Sequence, residues 1–178
     1  RRSSDLVSYR RKDGVQVRGL DEAGMARICG EFADAAAYFS TIGFDGVMIH
    51  YGHGWLAGQF FNPRVNTRTD AYGGSVANRA RFPVRILESV RERCGSDLLV
   101  EVRVSGRENI PGGITLEETV QTCQELDGRG LVDMFHVSAG HYYKPSRSQE
   151  FSTVFSPNGL NADAAAAVKA AVSVPVNV

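Results

Sequence analysis

Two histidines stand where a strand-like segment ends. His50 and His53 are three residues apart, at the point where F-D-G-V-M-I-H gives way to a turn containing two glycines. The active groups of parallel α/β folds gather at the carboxyl ends of strands, so both imidazoles can aim at one small acceptor. An imidazole N–H can polarise a carbonyl or nitro oxygen. The residues alone leave two alternatives open: a zinc or iron site, which needs a further ligand, and histidines satisfied by backbone partners.

Arg103 lies in a second strand-like segment, L-L-V-E-V-R-V. Period-2 alternation places the valines on one face of this strand and Glu101 and Arg103 on the other. Because a charge inside a fold is costly unless it is paired, the pattern predicts an anionic partner for Arg103. That partner is either Glu101 or another carboxylate of the chain, or an anionic ligand at the end of the strand.

Helical and strand-like segments alternate along the chain. Apolar residues at helical spacing predict helices over 21–42, 75–94, 115–127 and 161–172, and short apolar runs predict strands over 44–50, 98–104, 131–138 and 174–178. Ser75 and Asn161 are predicted N-caps, and Thr115 with Glu118 forms a capping box. Pro83 lies inside the second helix, where it predicts either a kink or a short first helix that restarts.

This alternation predicts parallel strands joined by right-handed crossovers, hence an α/β fold. A doubly wound sheet is one architecture, but no G-x-G-x-x-G follows a strand here. A (β/α)8 barrel is the other, and it needs about 250 residues. A chain of 178 residues supplies only part of a barrel, so the barrel is predicted only if the chain is a fragment.

Composition narrows the function classes. Twenty basic residues balance twenty acidic ones, which predicts no nucleic-acid or anionic-membrane partner. The three cysteines are isolated, so neither a disulfide framework nor a zinc site is predicted, and a reducing compartment fits best. No apolar run approaches the roughly 20 residues of a membrane helix, and the basic first residues are not followed by the apolar core of a signal peptide. We therefore expect a cytoplasmic protein.

The segment over residues 49–82 carries a long and specific motif, I-H-Y-G-H-G-W-L-A-G-Q-F-F-N-P-R-V-N-T-R-T-D-A-Y-G-G-S-V-A-N-R-A-R-F. It resembles the Old Yellow Enzyme family of NADH:flavin oxidoreductases, and V-E-V-R-V-S-G and H-V-S-A-G extend the resemblance over nearly the whole chain. The branch it resembles most contains 2,4-dienoyl-CoA reductases and bile-acid enoate reductases. The resemblance implies that residues 1–178 are a fragment of one FMN-binding (β/α)8 TIM-barrel domain, from the helix before strand four into strand seven. The amino-terminal strands and the carboxyl-terminal phosphate-binding loops would lie outside it.

The resemblance also implies roles for four residues. His50 and His53 match the pair that binds the activating oxygen of the substrate, and Arg103 matches the arginine that faces the flavin pyrimidine edge and stabilises the anionic reduced flavin. Many relatives place a proton-donating Tyr where this chain has Trp55, whose indole is no general acid. The proton donor is therefore predicted to be Tyr142, with His141 and solvent as alternatives.

The implied function is reduction of activated C=C bonds, in small-molecule enones, enoyl- or dienoyl-CoA esters or steroid-like enoates. FMN would pass hydride to them from NADH or NADPH. No metal is predicted within the chain, whereas a [4Fe–4S] cluster, FAD and a homo-oligomeric state are left open. Two alternative hypotheses remain: the protein is a non-catalytic truncated fragment of such an enzyme, or it is a metal-dependent TIM-barrel hydrolase that uses the two histidines. Phe60, Phe61 and Phe82 are expected to pack, and Arg68 to pair with Asp70.

Overall fold

The computed structural model describes residues 4–6, 9–10, 14, 16–141 and 157–178. Its strands are β1 (Ser4–Asp5), β2 (Tyr9–Arg10), β3 (Gln16–Gly19), β4 (Gly46–His50), β5 (Leu99–Ser105), β6 (Met134–Ser138) and β7 (Val176–Asn177). Its helices are α1 (Glu22–Thr41), α2 (Leu56–Phe61), α3 (Val76–Cys94), α4 (Leu116–Asp127) and α5 (Ala162–Lys169).

The main sheet has four parallel strands in the order β4-β5-β6-β7. Each strand pairs with the next one in the chain, so the strand order never reverses as it does in a doubly wound sheet. The helices follow the same progression, because α3 packs against both α1 and α4, and α4 packs against α5. These observations confirm the predicted α/β class, and the uninterrupted winding favours the barrel architecture.

Local sequence fixes where the helices begin. The Ser75 hydroxyl accepts a hydrogen bond from the Asn78 amide, as predicted for the N-cap of α3. Thr115 and Glu118 form both hydrogen bonds of the predicted capping box at the start of α4. Asn161 occupies the N-cap position of α5, but its side chain makes no capping hydrogen bond there.

The two faces of β5 differ as the alternation predicted. Val100, Val102 and Val104 are each at most 3% exposed under the helices, whereas Leu99 is 56% exposed on the other face. Phe60, Phe61 and Phe82 belong to the core, which confirms their predicted packing role. On the face opposite the helices, a cavity of about 480 Å³ lies along the first halves of the strands.

Three features differ from the sequence predictions. A three-stranded sheet, in the order β1-β3-β2, precedes α1, and α2 interrupts the connection between β4 and α3. Both are built from segments of two to six residues, too short for periodicity to show. The alternative in which the helix restarts at Pro83 was wrong, because α3 is continuous through that residue. Across the described ranges, no helix has the length and apolar character needed to span a membrane.

Candidate functional site

A row of polar side chains crosses the sheet near its carboxyl edge. The pairing register aligns His50 with Arg103, Arg103 with His136, and His136 with Asn177. Residues paired in this way point to the same face of a sheet, and here that face lies opposite the valines that pack under the helices. Strand geometry therefore brings His50 and Arg103 together, as the two strand ends predicted.

The turn after β4 returns His53 to this row. His53 and Gly54 have backbone φ angles of 56° and 76°, two successive left-handed conformations that reverse the chain. The His53 amide donates to Ser105 Oγ at 2.9 Å, and that hydroxyl donates to the Gly140 carbonyl at 3.1 Å. Ser105, the last residue of β5, thus joins the loops that follow β4 and β6. The His50 and His53 ring centroids lie 4.9 Å apart as a result.

A continuous chain of contacts joins the two histidines to Arg103. His53 Nδ1 lies 3.1 Å from His50 Nε2, and His53 Nε2 lies 3.0 Å from Ser138 Oγ. The Arg103 guanidinium donates to the same Ser138 oxygen at 3.1 Å. All three predicted residues His50, His53 and Arg103 therefore meet in one cluster, with Ser138 at its centre.

Burial keeps both histidines neutral at physiological pH. Desolvation lowers the pKa of His50 to about 4, helped by the positive charge of Arg103. The pKa of His53 is likewise lowered to about 4, first by desolvation and then by His50 and Arg103. A contact with the Ala139 carbonyl acts weakly in the opposite direction on His53. Neutral imidazoles can each offer one N–H donor and one acceptor to a ligand.

Arg103 has no carboxylate partner among the residues that the structure describes. Glu101 lies beside His136 instead, with the Glu101 Oε1 and His136 Nδ1 atoms 3.5 Å apart. The Arg103 Nε atom is buried without a hydrogen-bond partner in the described part of the chain. The first of the two predicted partners, Glu101, was therefore wrong. The expectations that remain are a carboxylate outside the described residues and an anionic ligand at this edge of the sheet.

The loop after β6 closes one side of the cluster. A backbone bridge pairs His53 with His141, and the His141 imidazole packs so closely over Gly54 that a Cβ atom there would lie 2.2 Å from Nε2. Desolvation, with a smaller contribution from Arg64, lowers the pKa of His141. Trp55 lies at the start of α2 and is 41% exposed. Tyr142, the predicted proton donor, lies outside the described residues.

A buried carboxyl group braces the loops behind the cluster. Glu108 follows β5, is 2% exposed and accepts hydrogen bonds from the Asn62 side chain and from the Ile114 amide at 3.1 Å. Desolvation raises its pKa to about 7. Arg68 binds the Leu6 and Leu20 carbonyls and pairs with Asp70, so the predicted ion pair is confirmed. These groups hold the loops together through contacts within the chain.

Ser138 and His136 belong to the cluster but were not predicted as site residues. The signal was present, because Met134, His136 and Ser138 alternate with the buried Phe135 and Val137 in β6. The same alternation argument that singled out Arg103 would have placed them on its face. No group of three or more metal-ligating side chains occurs within the described ranges.

Comparisons with known proteins agree with this architecture. A sequence model of the NADH:flavin oxidoreductase / NADH oxidase family matches residues 3–177. The NADH oxidase of Thermoanaerobacter brockii is 38% identical over 92% of this chain and 25% of its own length. The multifunctional alkene reductase/demethylase OYE of Caballeronia cordobensis is 36% identical over 89% of the chain and 23% of its own length.

A solved structure extends the likeness to three dimensions. The complex of 2-naphthoyl-CoA reductase with 2-naphthoyl-CoA superposes with a TM-score of 0.86 at 26% identity, over 97% of this chain and 26% of that one. The predicted partial (β/α)8 barrel, approximately strands four to seven, is thereby confirmed. The chain spans about a quarter of the length of these curated relatives.

Proposed function

Because the chain belongs to the NADH:flavin oxidoreductase / NADH oxidase family, the Old Yellow Enzyme family predicted from its sequence, we propose that it forms the substrate-activating part of an FMN-dependent ene-reductase. The net reaction adds a hydride and a proton across an activated C=C bond, and NADH or NADPH is oxidised. The similarity of the chain to an alkene reductase/demethylase supports this reaction class.

One observation carries the proposal: Arg103 presents a guanidinium that pairs with no carboxylate of the described residues, two contacts away from a pair of neutral imidazoles. A fixed cation at a strand end needs an anionic or electron-rich group beside it. FMN fits that requirement, and Arg103 would hold its pyrimidine edge. When bound, FMN supplies the hydride transfer between the nicotinamide and the alkene.

The two histidines activate the substrate. His50 Nε2 and His53 Nδ1 lie 3.1 Å apart, so without a ligand one of them donates to the other. A carbonyl or nitro oxygen that replaces this contact can accept a hydrogen bond from each imidazole when both nitrogens carry a proton. Donors placed where negative charge develops lower the barrier to hydride addition at the β-carbon. Since their lowered pKa values keep both rings neutral, they polarise the oxygen without transferring a proton to it.

Proton delivery to the α-carbon needs a different group. Trp55 has no acidic proton at neutral pH. The lowered pKa of His141 makes its imidazolium form rarer than that of an ordinary histidine. We therefore propose Tyr142 as the donor, with His141 and solvent as the alternatives, and this assignment rests on sequence position alone.

The substrate class and the remaining parts of the enzyme are also proposals. An enone, an enoyl- or dienoyl-CoA ester or a steroid-like enoate would each present a carbonyl oxygen to the histidine pair. We propose that residues 1–178 are part of one FMN-binding barrel domain. The assignment to the dienoyl-CoA and bile-acid reductase branch, and the presence of a [4Fe–4S] cluster or FAD elsewhere, stay predictions.

Flavin binding and turnover test the proposal together. The purified protein is incubated with FMN and desalted, the bound flavin is quantified by its absorbance, and anaerobic NADH oxidation is followed with 2-cyclohexen-1-one. We expect bound FMN and enone-dependent oxidation, and weaker FMN binding in Arg103→Ala. Arg27→Ala is the matched control, since Arg27 forms an exposed pair with Glu31 on α1. A colourless protein that takes up no FMN would contradict the proposal and favour the hypothesis of a non-catalytic truncated fragment. Bound zinc or iron would favour the metal-dependent hydrolase.

A further inference from the structure

Ser138 lies between the Arg103 guanidinium and the His53 ring. Its hydroxyl oxygen is buried at the end of β6 and has two partners within the described part of the chain, the Arg103 guanidinium and His53 Nε2. The Ser138 side chain thus contacts both the cation and His53, which in turn contacts His50.

The direction of the first contact follows from chemistry. A guanidinium has donors and no acceptor, so the Arg103 contact must be donated to Ser138 Oγ at 3.1 Å. One lone pair of the hydroxyl is then occupied, and its single hydrogen needs an acceptor. His53 Nε2 lies 3.0 Å away and can accept when it carries no proton.

The direction of the next contact follows from the proton count of the imidazole. A neutral histidine carries one N–H. If His53 Nε2 accepts from Ser138, the His53 proton must be at Nδ1. Nδ1 lies 3.1 Å from His50 Nε2, on the edge that a ligand oxygen would approach. Without the Ser138 hydroxyl, no donor holds Nε2 in its unprotonated form, and the neutral ring can carry its proton on either nitrogen.

We propose that Ser138 is a positioning residue: with one lone pair occupied by the Arg103 guanidinium, its hydroxyl donates to Nε2 of His53, fixes that ring as the Nδ1–H tautomer and so aims its donor at the substrate oxygen. The part of this inference that concerns the substrate rests on the proposed function. The tautomer itself does not, because it follows from contacts within the chain. Arg103 therefore has a second role besides supplying a positive charge: it orients the Ser138 hydroxyl, which in turn orients the His53 ring.

Nitrogen NMR of the histidine-labelled protein measures the tautomer directly, because protonated and unprotonated ring nitrogens resonate far apart. We expect His53 to be protonated at Nδ1 in the wild type and to shift toward Nε2–H in Ser138→Ala. Ser138→Thr keeps a hydroxyl and should retain Nδ1–H. Ser173→Ala is the matched control, since its exposed hydroxyl pairs with Asp127.

Ligand affinity gives the functional readout. Losing one oriented hydrogen bond should weaken the binding of p-hydroxybenzaldehyde to the FMN-loaded Ser138→Ala protein about tenfold relative to Ser138→Thr. A wild-type His53 protonated at Nε2, or an Nδ1–H tautomer unchanged in Ser138→Ala, would overturn the assignment. If the wild type shows the expected tautomer but binds neither FMN nor the aldehyde, the proposed function fails while the role of Ser138 stands.

Discussion

Replacing Glu108 with glutamine should remove a pH dependence from the stability of the protein. The Glu108 carboxyl is 2% exposed and accepts hydrogen bonds from Asn62 and from the Ile114 amide on the same oxygen, Oε2. An amide oxygen in Glu108→Gln can accept both bonds, and an amide cannot ionise. The variant therefore changes the charge of the site while it keeps the contacts that join the two loops.

The size of the effect follows from the pKa of Glu108. Burial raises that pKa from 4.5 to about 7 in the folded protein. The folded state therefore binds a proton that the unfolded state releases, so the stabilisation is complete below the unfolded pKa and is lost as pH rises through the folded one. Between pH 5 and pH 8 the loss from this single group amounts to about 2.5 kcal/mol.

Urea unfolding at pH 5 and pH 8 measures this loss in the wild type and in Glu108→Gln. We expect the unfolding free energy of the wild type to fall over this range by about 2.5 kcal/mol more than that of the variant. At pH 8 the variant should accordingly be the more stable of the two. Equal pH dependences would refute the reasoning, because they would show that Glu108 ionises normally in the folded protein.

Two further predictions concern the turn before α3 and the cation. Gly73→Ala should destabilise the protein by about 1–3 kcal/mol in urea unfolding, since its Cβ would lie 1.9 Å from the Arg68 carbonyl oxygen. Gly30→Ala in α1 is the control: its Cβ meets no atom within 4 Å, so this variant should be neutral or stabilising. Equal changes in the unfolding free energy of the two variants would contradict the close approach. Arg103→Ala should lower the reduction potential of bound flavin in a dye-equilibration assay, because a nearby positive charge favours the reduced state, and Arg103→Lys should lower it less; an unchanged potential in Arg103→Ala would count against the placement of Arg103 beside the flavin.

Much of the fold was predictable from patterns of residues that are close together in the sequence. The capping box at Thr115 and Glu118, the cap at Ser75 and the alternating valines of β5 are local patterns, and each appears as predicted. The three-stranded sheet before α1 is different, because its two- to four-residue strands depend on pairing between distant segments. Helix α3 continues through Pro83, which shows that packing can override the local preference of one residue.

The candidate site divides in the same way. Strand ends and alternation were enough to bring His50 and Arg103 to one edge, since parallel pairing places them side by side. The contact between His53 and Ser138 was not predictable, because it depends on the left-handed conformation of His53 and spans 85 residues of sequence. Alternation in β6 places Ser138 on the face of Arg103, but it does not show which side chain Ser138 contacts.

We propose that His50 and His53 hold the oxygen of a substrate. The most direct test is the affinity of the FMN-loaded protein for p-hydroxybenzaldehyde, followed by the change in flavin absorbance, in the wild type and in His53→Ala. We expect His53→Ala to retain its FMN and to bind the aldehyde about tenfold more weakly, the cost of one lost hydrogen bond. Unchanged affinity in a variant that still holds FMN would contradict the claim.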